Sequence, residues 1–262
     1  MSTDDRLLRE RYETIALSGD VATTACDFQL RDLEIDFGLE HIRDGDSVLD
    51  VGCGPGVALL AYARRRQIVA NGIDYADNMV TFAERNIAEQ RLDLKIEIQK
   101  ASVLELPFKD ATFDVVTSHR CLMALLDWEK QKAALLEIAR VLKPGGQLIL
   151  MEGTFDGIER LNNWRSRFGL SQIDAAGRDR LTTLKFRESE LLAFVEPTYE
   201  VQRIQRWGMY YFLTRIVQPL LVAPDQPSYS HKLNEVAKMI ARQIPDLNEL
   251  GHLVGFALRK RS

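Results

Sequence analysis

Val48-Leu49-Asp50-Val51-Gly52-Cys53-Gly54-Pro55-Gly56 decides the fold. The apolar residues around Asp50 read as a strand buried on both faces, the kind found inside parallel sheets. Three glycines then let the backbone turn with positive φ and approach a ligand closely. Val57 to about residue 66 follows as a helix. A ligand at such a strand–turn–helix unit sits at the strand's carboxyl end, against the helix amino terminus.

Two cofactor classes use this kind of turn, and spacing separates them. The dinucleotide fingerprint is GxGxxG or GxGxxA. Here the glycines fall at 52, 54 and 56, Val57 takes the third glycine's place, and Asp50 stands two residues before the first glycine. The resulting DxGxGxG resembles motif I of the class I S-adenosylmethionine-dependent methyltransferases. That resemblance implies a loop of Gly52, Gly54 and Gly56 around the amino acid end of the cofactor, with Asp50 acting beside it.

Downstream segments extend the resemblance over roughly residues 45 to 152. Ile68 to Ile73 is a second apolar strand ending at Asp74, where a Rossmann-like sheet places the acid that binds ribose hydroxyls. Gly72-Ile73-Asp74-Tyr75-Ala76-Asp77-Asn78-Met79 is similar to the family's second motif, which places Tyr75 and Met79 on either side of adenine. A third strand, residues 94 to 99, leads into Ala101-Ser102-Val103-Leu104, similar to the family's loop near adenine. Many relatives carry Asp at the position of Ser102, so a hydroxyl or backbone would replace that carboxylate. Phe113 to Ser118 reads as strand four, and Arg140 to Leu150 resembles the family's helix, turn and fifth strand. The resemblance implies S-adenosyl-L-methionine as cofactor and S-adenosyl-L-homocysteine as product. A dinucleotide-binding or purely structural Rossmann domain is the alternative for the core.

The chain has 262 residues, 46% hydrophobic and 27% charged, enough to bury one large α/β core. No apolar run approaches the ~20 residues of a spanning helix, so no membrane partner is expected. The first six residues are charged and lack a signal peptide's apolar region, which points to a cytoplasmic enzyme. Three cysteines without metal spacing indicate neither a disulfide framework nor a metal site. A net charge of −4 argues against a nucleic-acid partner, whose phosphates call for cationic contacts.

Alternating strands and helices, the latter at about 57 to 66, 77 to 89 and 128 to 140, mean right-handed crossovers and a parallel sheet. The resemblance implies an α/β, Rossmann-like seven-stranded sheet of order 3-2-1-4-5-7-6, its last strand antiparallel, with helical insertions forming an acceptor cap. The whole chain, 1–262, is expected to be one domain: amino-terminal helices at 1–44, a cofactor core at 45–152, and acceptor-side insertions with the last two strands at 153–262. Residues 4 to 17 read as an amphipathic helix, and the family's use of such a segment over the cofactor makes Tyr12 a candidate contact.

Catalysis centres on Ser118-His119-Arg120-Cys121, just beyond strand four, where the resemblance places the sulfonium methyl. The Asn/Asp-Pro-Pro-Tyr/Phe motif of many base and amide N-methyltransferases is absent. His119 is a candidate general base, because imidazole titrates near working pH, or alternatively a cofactor-loop or substrate contact. Glu152, closing strand five, is the second candidate; its plainer reading is a carboxylate capping the next segment. Residues 155 to 187 carry seven cations, Arg160, Arg165, Arg167, Arg178, Arg180, Lys185 and Arg187, either a solvated face or a seat for acceptor phosphate or carboxylate. Tyr199 to Trp207 reads as strand six and Leu253 to Leu258 as strand seven. Between them an aromatic run, a loop stiffened by Pro219, Pro224 and Pro227 around Leu220 to Ala223, and a helix from about 230 to 244 form a second insertion. Arg206, Tyr210, Tyr211 and His231 are its candidate acceptor contacts, although dense aromatics more often build core. The expected function is methyl transfer to oxygen, in preference to nitrogen, of a small anionic or sugar-like acceptor: a sugar, sugar nucleotide or specialised metabolite. A noncatalytic S-adenosylmethionine-binding sensor or scaffold is the alternative. Neither acceptor identity nor oligomeric state is written in these residues.

Overall fold

The computed structural model describes residues 3–21, 26–91, 94–174, 183–247 and 249–262. Arg178 and Arg180 lie outside the described residues. The strands are β1 (Ser47–Val51), β2 (Val69–Asp74), β3 (Ile96–Lys100), β4 (Phe113–His119), β5 (Leu142–Gly153), β6 (Tyr199–Gln205) and β7 (Leu253–Lys260). They form one sheet of order β3-β2-β1-β4-β5-β7-β6. The first five pair in parallel and β7 runs antiparallel between β5 and β6, the order and orientation that the motif resemblance implied.

Strand order places β1 at the point where connections reverse, flanked by β2 and β4. Asp50 is level with Gly72 on one side and Thr117 on the other. Ligands of open α/β sheets bind in the crevice at such a switch point.

Helices cover both faces, and successive strand residues serve opposite cores, as the two-residue period of a strand requires. Val48, Ala70, Val115 and Ile149 pack on one face with Leu30, Leu33 and Phe37 of α2 (Phe28–Leu39) and with Leu59 and Tyr62 of α3 (Val57–Arg65). Leu49, Ile73, Val116, Leu148 and Phe256 pack on the other. There they meet α5 (Trp128–Val141) and α7 (Glu188–Val195), while α4 (Asp77–Ala88) follows β2. Helix α1 (Thr3–Leu17) lies outside both cores. It packs on α4 through Tyr12, Ile15 and Ala16 against Met79 and Phe82.

Caps are set by local chemistry. The carboxylate of Asp27 accepts from Leu30 N, and the hydroxyl of Thr154 accepts from Gly157 N at the start of α6 (Phe155–Arg167). Among the described residues, no helix is long and apolar enough to cross a membrane.

The carboxyl-terminal insertion differs from its sequence reading. Strand β6 stops at Gln205, and Trp207 adopts left-handed φ of 50° to start α8 (Gly208–Phe212). A π-helical turn, Leu213–Val217, carries that helix into α9 (Gln218–Val222), so Leu220 to Val222 are helical and not loop. Pro219 falls in the first turn of α9, directly after the π-helical turn. Helix α10 (Lys232–Gln243) completes the layer.

Candidate active site

A cavity of about 510 Å³ opens at the carboxyl ends of β1, β2 and β4. Its floor is the turn after β1. Gly52, Gly54 and Gly56 have φ of 65°, 53° and 73°, conformations an L side chain rarely adopts. Gly54 presents open space, with no atom within 4 Å of where a Cβ would stand. At Gly52 a Cβ would meet Cys121 Sγ at 2.4 Å. Gly56 does not line the cavity: its Cβ position faces Ile87 and Ala83 of α4, 3.4 and 3.6 Å away.

Two carboxylates line this floor. Asp74, at the end of β2, accepts from Gly54 N and Ala76 N, both at 3.0 Å. Burial pushes its pKa up and outweighs those N–H groups. Asp50 is fully buried and accepts from Thr117 Oγ1 at 2.7 Å; burial raises its pKa to about 7. Apolar Met79 and Val103, half-exposed Tyr75 and the polar Ser102 form the wall beyond Asp74. Ser102 Oγ accepts from Leu104 N at 3.2 Å.

Helix α1 roofs that end, contributing Leu8, Arg9 and Tyr12. The Glu13 carboxylate accepts from Asp77 N and Asn78 N at 2.9 and 2.7 Å, the first amides of α4. Arg9 pairs with Asp77 at 2.6 Å and lies over the Tyr75 ring, 5.5 Å from its centroid. Burial raises the pKa of Tyr12 to about 12, which keeps its hydroxyl protonated.

On the opposite side, β4 delivers His119, Arg120 and Cys121, and α2 delivers Arg31. His119 Nε2 is 2.8 Å from Tyr62 Oη, while among the described residues nothing hydrogen-bonds Nδ1. Burial, reinforced by the charges of Arg120 and Arg31, lowers the His119 pKa to about 3, so the ring is neutral at physiological pH.

Glu152 lies near the end of β5. It is fully buried, does not line the cavity, and accepts from Ser118 Oγ, Leu122 N and Met123 N at 2.9, 2.9 and 3.0 Å. Burial raises its pKa to about 7 despite those donors. Its role is to fix the turn after β4 that presents His119 to Cys121.

None of the four acceptor candidates of the second insertion, Arg206, Tyr210, Tyr211 and His231, lines this cavity. Tyr210 Oη donates to Asp27, and Tyr211 Oη accepts from Leu253 N; both rings are fully buried. Arg206 pairs with Glu188, and His231 Nδ1 caps α10 by accepting from Leu233 N. Of the described cations between 155 and 187, Arg160 and Arg187 pair with Glu188 and Glu159, and Arg165 donates to backbone oxygens. Arg31, Arg120 and Tyr62 were not singled out as candidates from sequence. Arg120 stands beside His119 in the quoted motif, whereas Arg31 sits in α2 with no motif around it.

Residues 48–146 match the family model described as methyltransferase domain. A demethylmenaquinone methyltransferase of Lactiplantibacillus plantarum is 35% identical over 114 residues, 43% of this chain and 47% of that protein. The chain thus matches less than half the length of such curated relatives. Two solved structures share the fold over nearly its whole length. A methyltransferase chain of Haloferax volcanii, solved with the Trm112 methyltransferase activator, has a TM-score of 0.64 at 20% identity, covering 97% of this chain and 96% of its own. Geranyl diphosphate C-methyltransferase of Streptomyces coelicolor, solved with Mg²⁺, geranyl-S-thiolodiphosphate and S-adenosyl-L-homocysteine, has a TM-score of 0.58 at 17% identity, covering 88% and 76%.

Proposed function

We propose that the chain carries a class I S-adenosylmethionine-dependent methyltransferase domain over residues 48–146 and is an enzyme that methylates an oxygen, in preference to a nitrogen, of a small acceptor. One observation carries this reading: a single cavity runs from the two carboxylates at the ends of β1 and β2 to a neutral histidine at the end of β4. Its volume of about 510 Å³ lies in the range of small-molecule sites.

The residues present fit the cofactor. Gly54 leaves open space for close approach, Asp74 and Asp50 offer acceptors, and Met79, Val103 and Tyr75 give a flat apolar slot. Asp74 would hold the ribose, Asp50 and the glycine turn the amino acid end, and Tyr75, Met79, Ser102 and Val103 the adenine. When bound, S-adenosylmethionine supplies an electrophilic methyl whose C–S electron pair stays on sulfur as S-adenosylhomocysteine forms.

The protein's own contribution is placement and exclusion of water. Helix α1 covers the cofactor end through Tyr12 and Leu8. His119, held through Nε2 by Tyr62, keeps Nδ1 for the acceptor or its proton. The sheet places β2 and β4 on either side of β1, so the two ends of the cavity are about 10 Å apart.

The test is methyl transfer from labelled S-adenosylmethionine across a panel of hydroxylated and amino metabolites, with His119→Ala in parallel. Turnover on a hydroxyl acceptor that falls at least about tenfold in the variant, with S-adenosylhomocysteine affinity held within a few fold, supports the reading. Tight cofactor binding with no turnover on any acceptor favours a sensor or scaffold instead.

A further inference from the structure

The contact between Tyr62 and His119 fixes a proton as well as a ring. Tyr62 stands on the inner face of α3, the helix that follows the glycine turn, and is 0% exposed. Helix α2 closes over its hydroxyl through Gly38, where a Cβ would stand 2.2 Å from Oη and 2.8 Å from Cζ. Glycine at 38 thus clears the room that the phenol needs to reach His119. Among the described residues, His119 Nε2, at 2.8 Å, is the only hydrogen-bond partner of Tyr62 Oη. Burial pushes the phenol well above its ordinary pKa, so its proton stays in place to be donated.

The direction of this bond follows from what each atom can do. A phenol both donates and accepts, and a neutral imidazole has one nitrogen of each kind. If Nε2–H donated to Oη, the phenolic O–H would be left as a buried donor with no acceptor. If the O–H donates to Nε2, both buried atoms are satisfied and the ring's own proton sits on Nδ1, on a residue that lines the cavity. The cost of an orphaned buried donor favours this second arrangement about 5- to 150-fold. The bond made at one ring nitrogen in this way sets the proton on the other. A charged ring is opposed by the same contact, since Nε2–H would then face the O–H, and burial with the charges of Arg120 and Arg31 acts in the same direction.

The other ionisable groups of the cavity do not replace a base at this end. Burial pushes Tyr12 up to about 12, and Cys53 and Cys121 well above the ordinary thiol value. Asp50 and Asp74 lie on the floor, engaged by Thr117 Oγ1 and by the amides of Gly54 and Ala76. Among the described residues, the β4 side therefore offers an acceptor a hydrogen-bond donor and no group poised to take its proton.

Resting on the methyltransferase reading, we propose that Tyr62 is a positioning residue that holds His119 in its Nδ1–H tautomer, and that this ring donates to an acceptor oxygen already ionised in solution, that of an acidic phenol, an enol or a carboxylic acid. The hydroxyl proton goes to solvent before binding, the oxygen lone pair forms the bond to the methyl as the C–S pair stays on sulfur, and the Nδ1 proton stays on the ring. Aliphatic hydroxyls, such as those of sugars, keep their proton at neutral pH and are poor acceptors for such a site.

The experiment is proton–nitrogen correlation NMR at neutral pH on protein carrying nitrogen-labelled histidine, with His119 assigned by its disappearance in His119→Gln. Nδ1 should show the shift of a protonated ring nitrogen and Nε2 that of a bare one. In Tyr62→Phe, which keeps the buried ring and is checked for fold by circular dichroism, the ratio of Nδ1–H to Nε2–H tautomers should fall at least about fivefold. The same variant should lower kcat at least about fivefold while S-adenosylhomocysteine affinity stays within about threefold. With the wild-type protein, labelled methyl transfer to nitrophenol or benzoate should exceed transfer to benzyl alcohol at least about tenfold. A ring protonated at Nε2 in the wild type, a tautomer ratio unchanged in Tyr62→Phe, or benzyl alcohol methylated as readily as nitrophenol and benzoate overturns the proposal. Failure to bind S-adenosylhomocysteine, or absence of turnover on every acceptor, is instead a failure of the methyltransferase reading, and the spectra, which need neither ligand, still decide the role of Tyr62.

Discussion

Glu13→Ala tests whether α1 is a separately stable roof. In the structure the Glu13 carboxylate accepts the first two amides of α4, at 2.9 and 2.7 Å, and receives Arg9 Nε at 3.3 Å. Cap losses of this kind cost about 0.5–2 kcal/mol, and two donors are left unmet here, which gives about 1–3 kcal/mol for docking of α1. That is about a 5- to 150-fold fall in the docked-to-undocked ratio. Helix α1 shares no large core with the sheet, so this loss should appear as local opening rather than global unfolding. Hydrogen exchange read by mass spectrometry should show the 3–17 amides exchanging faster by that factor, with β1 and β4 unchanged. Glu13→Gln, which keeps one acceptor oxygen, should fall between. Since α1 brings Leu8, Arg9 and Tyr12 to the cavity, S-adenosylhomocysteine affinity should weaken in step. Unchanged exchange in α1, or a cooperative loss of protection throughout the sheet, rules out a separately docked α1.

Asp74→Asn retains one acceptor for the Gly54 and Ala76 amides but removes the charge, and should weaken S-adenosylhomocysteine binding more than about tenfold; an unchanged dissociation constant removes Asp74 from the site. Gly52→Ala forces an L residue to φ of 65° against Cys121 Sγ and should cost about 2–4 kcal/mol in urea unfolding. Adding Cys121→Gly, which leaves its Cα at an ordinary 3.6 Å, should recover the steric part; no recovery disproves the contact. Asp50 has a folded pKa of about 7 against 3.8 unfolded, so the native state binds its proton more tightly and loses stability as pH rises through that window. Asp50→Asn should therefore make stability rise more steeply with pH between about 4 and 7, by up to ~1.4 kcal/mol per unit. His119, with a depressed pKa, acts oppositely: its stability is present above pH 6.5 and is lost as pH falls, so His119→Gln should flatten the acid side. Unchanged slopes across urea melts at several pH values contradict both.

The nucleotide half of the fold was legible because each of its signals is local. Asp50, the glycine turn and Asp74 lie within two strand–turn–helix units, and buried strands announce themselves as apolar runs. Residues whose function depends on packing were not legible. Glu152 looks from sequence like an acid at a strand end, and only the backbone of Leu122 and Met123 folding onto it turns it inward. Tyr210 and Tyr211 have the composition of a pocket, yet α8 follows a left-handed Trp207 that swings them into the core against Asp27 and Leu253. Arg31 was hidden for the converse reason: a lone cation on a helix reads as solvated until β4 brings Arg120 to the same cavity wall. Gly56 shows the limit of motif reading, since the pattern fixes its φ but not what its missing side chain makes room for.

Cofactor binding is decided by calorimetric titration with S-adenosylhomocysteine, with NADH as the control. Micromolar binding of S-adenosylhomocysteine and none of NADH is expected. Binding of NADH alone, or of neither ligand, would contradict it.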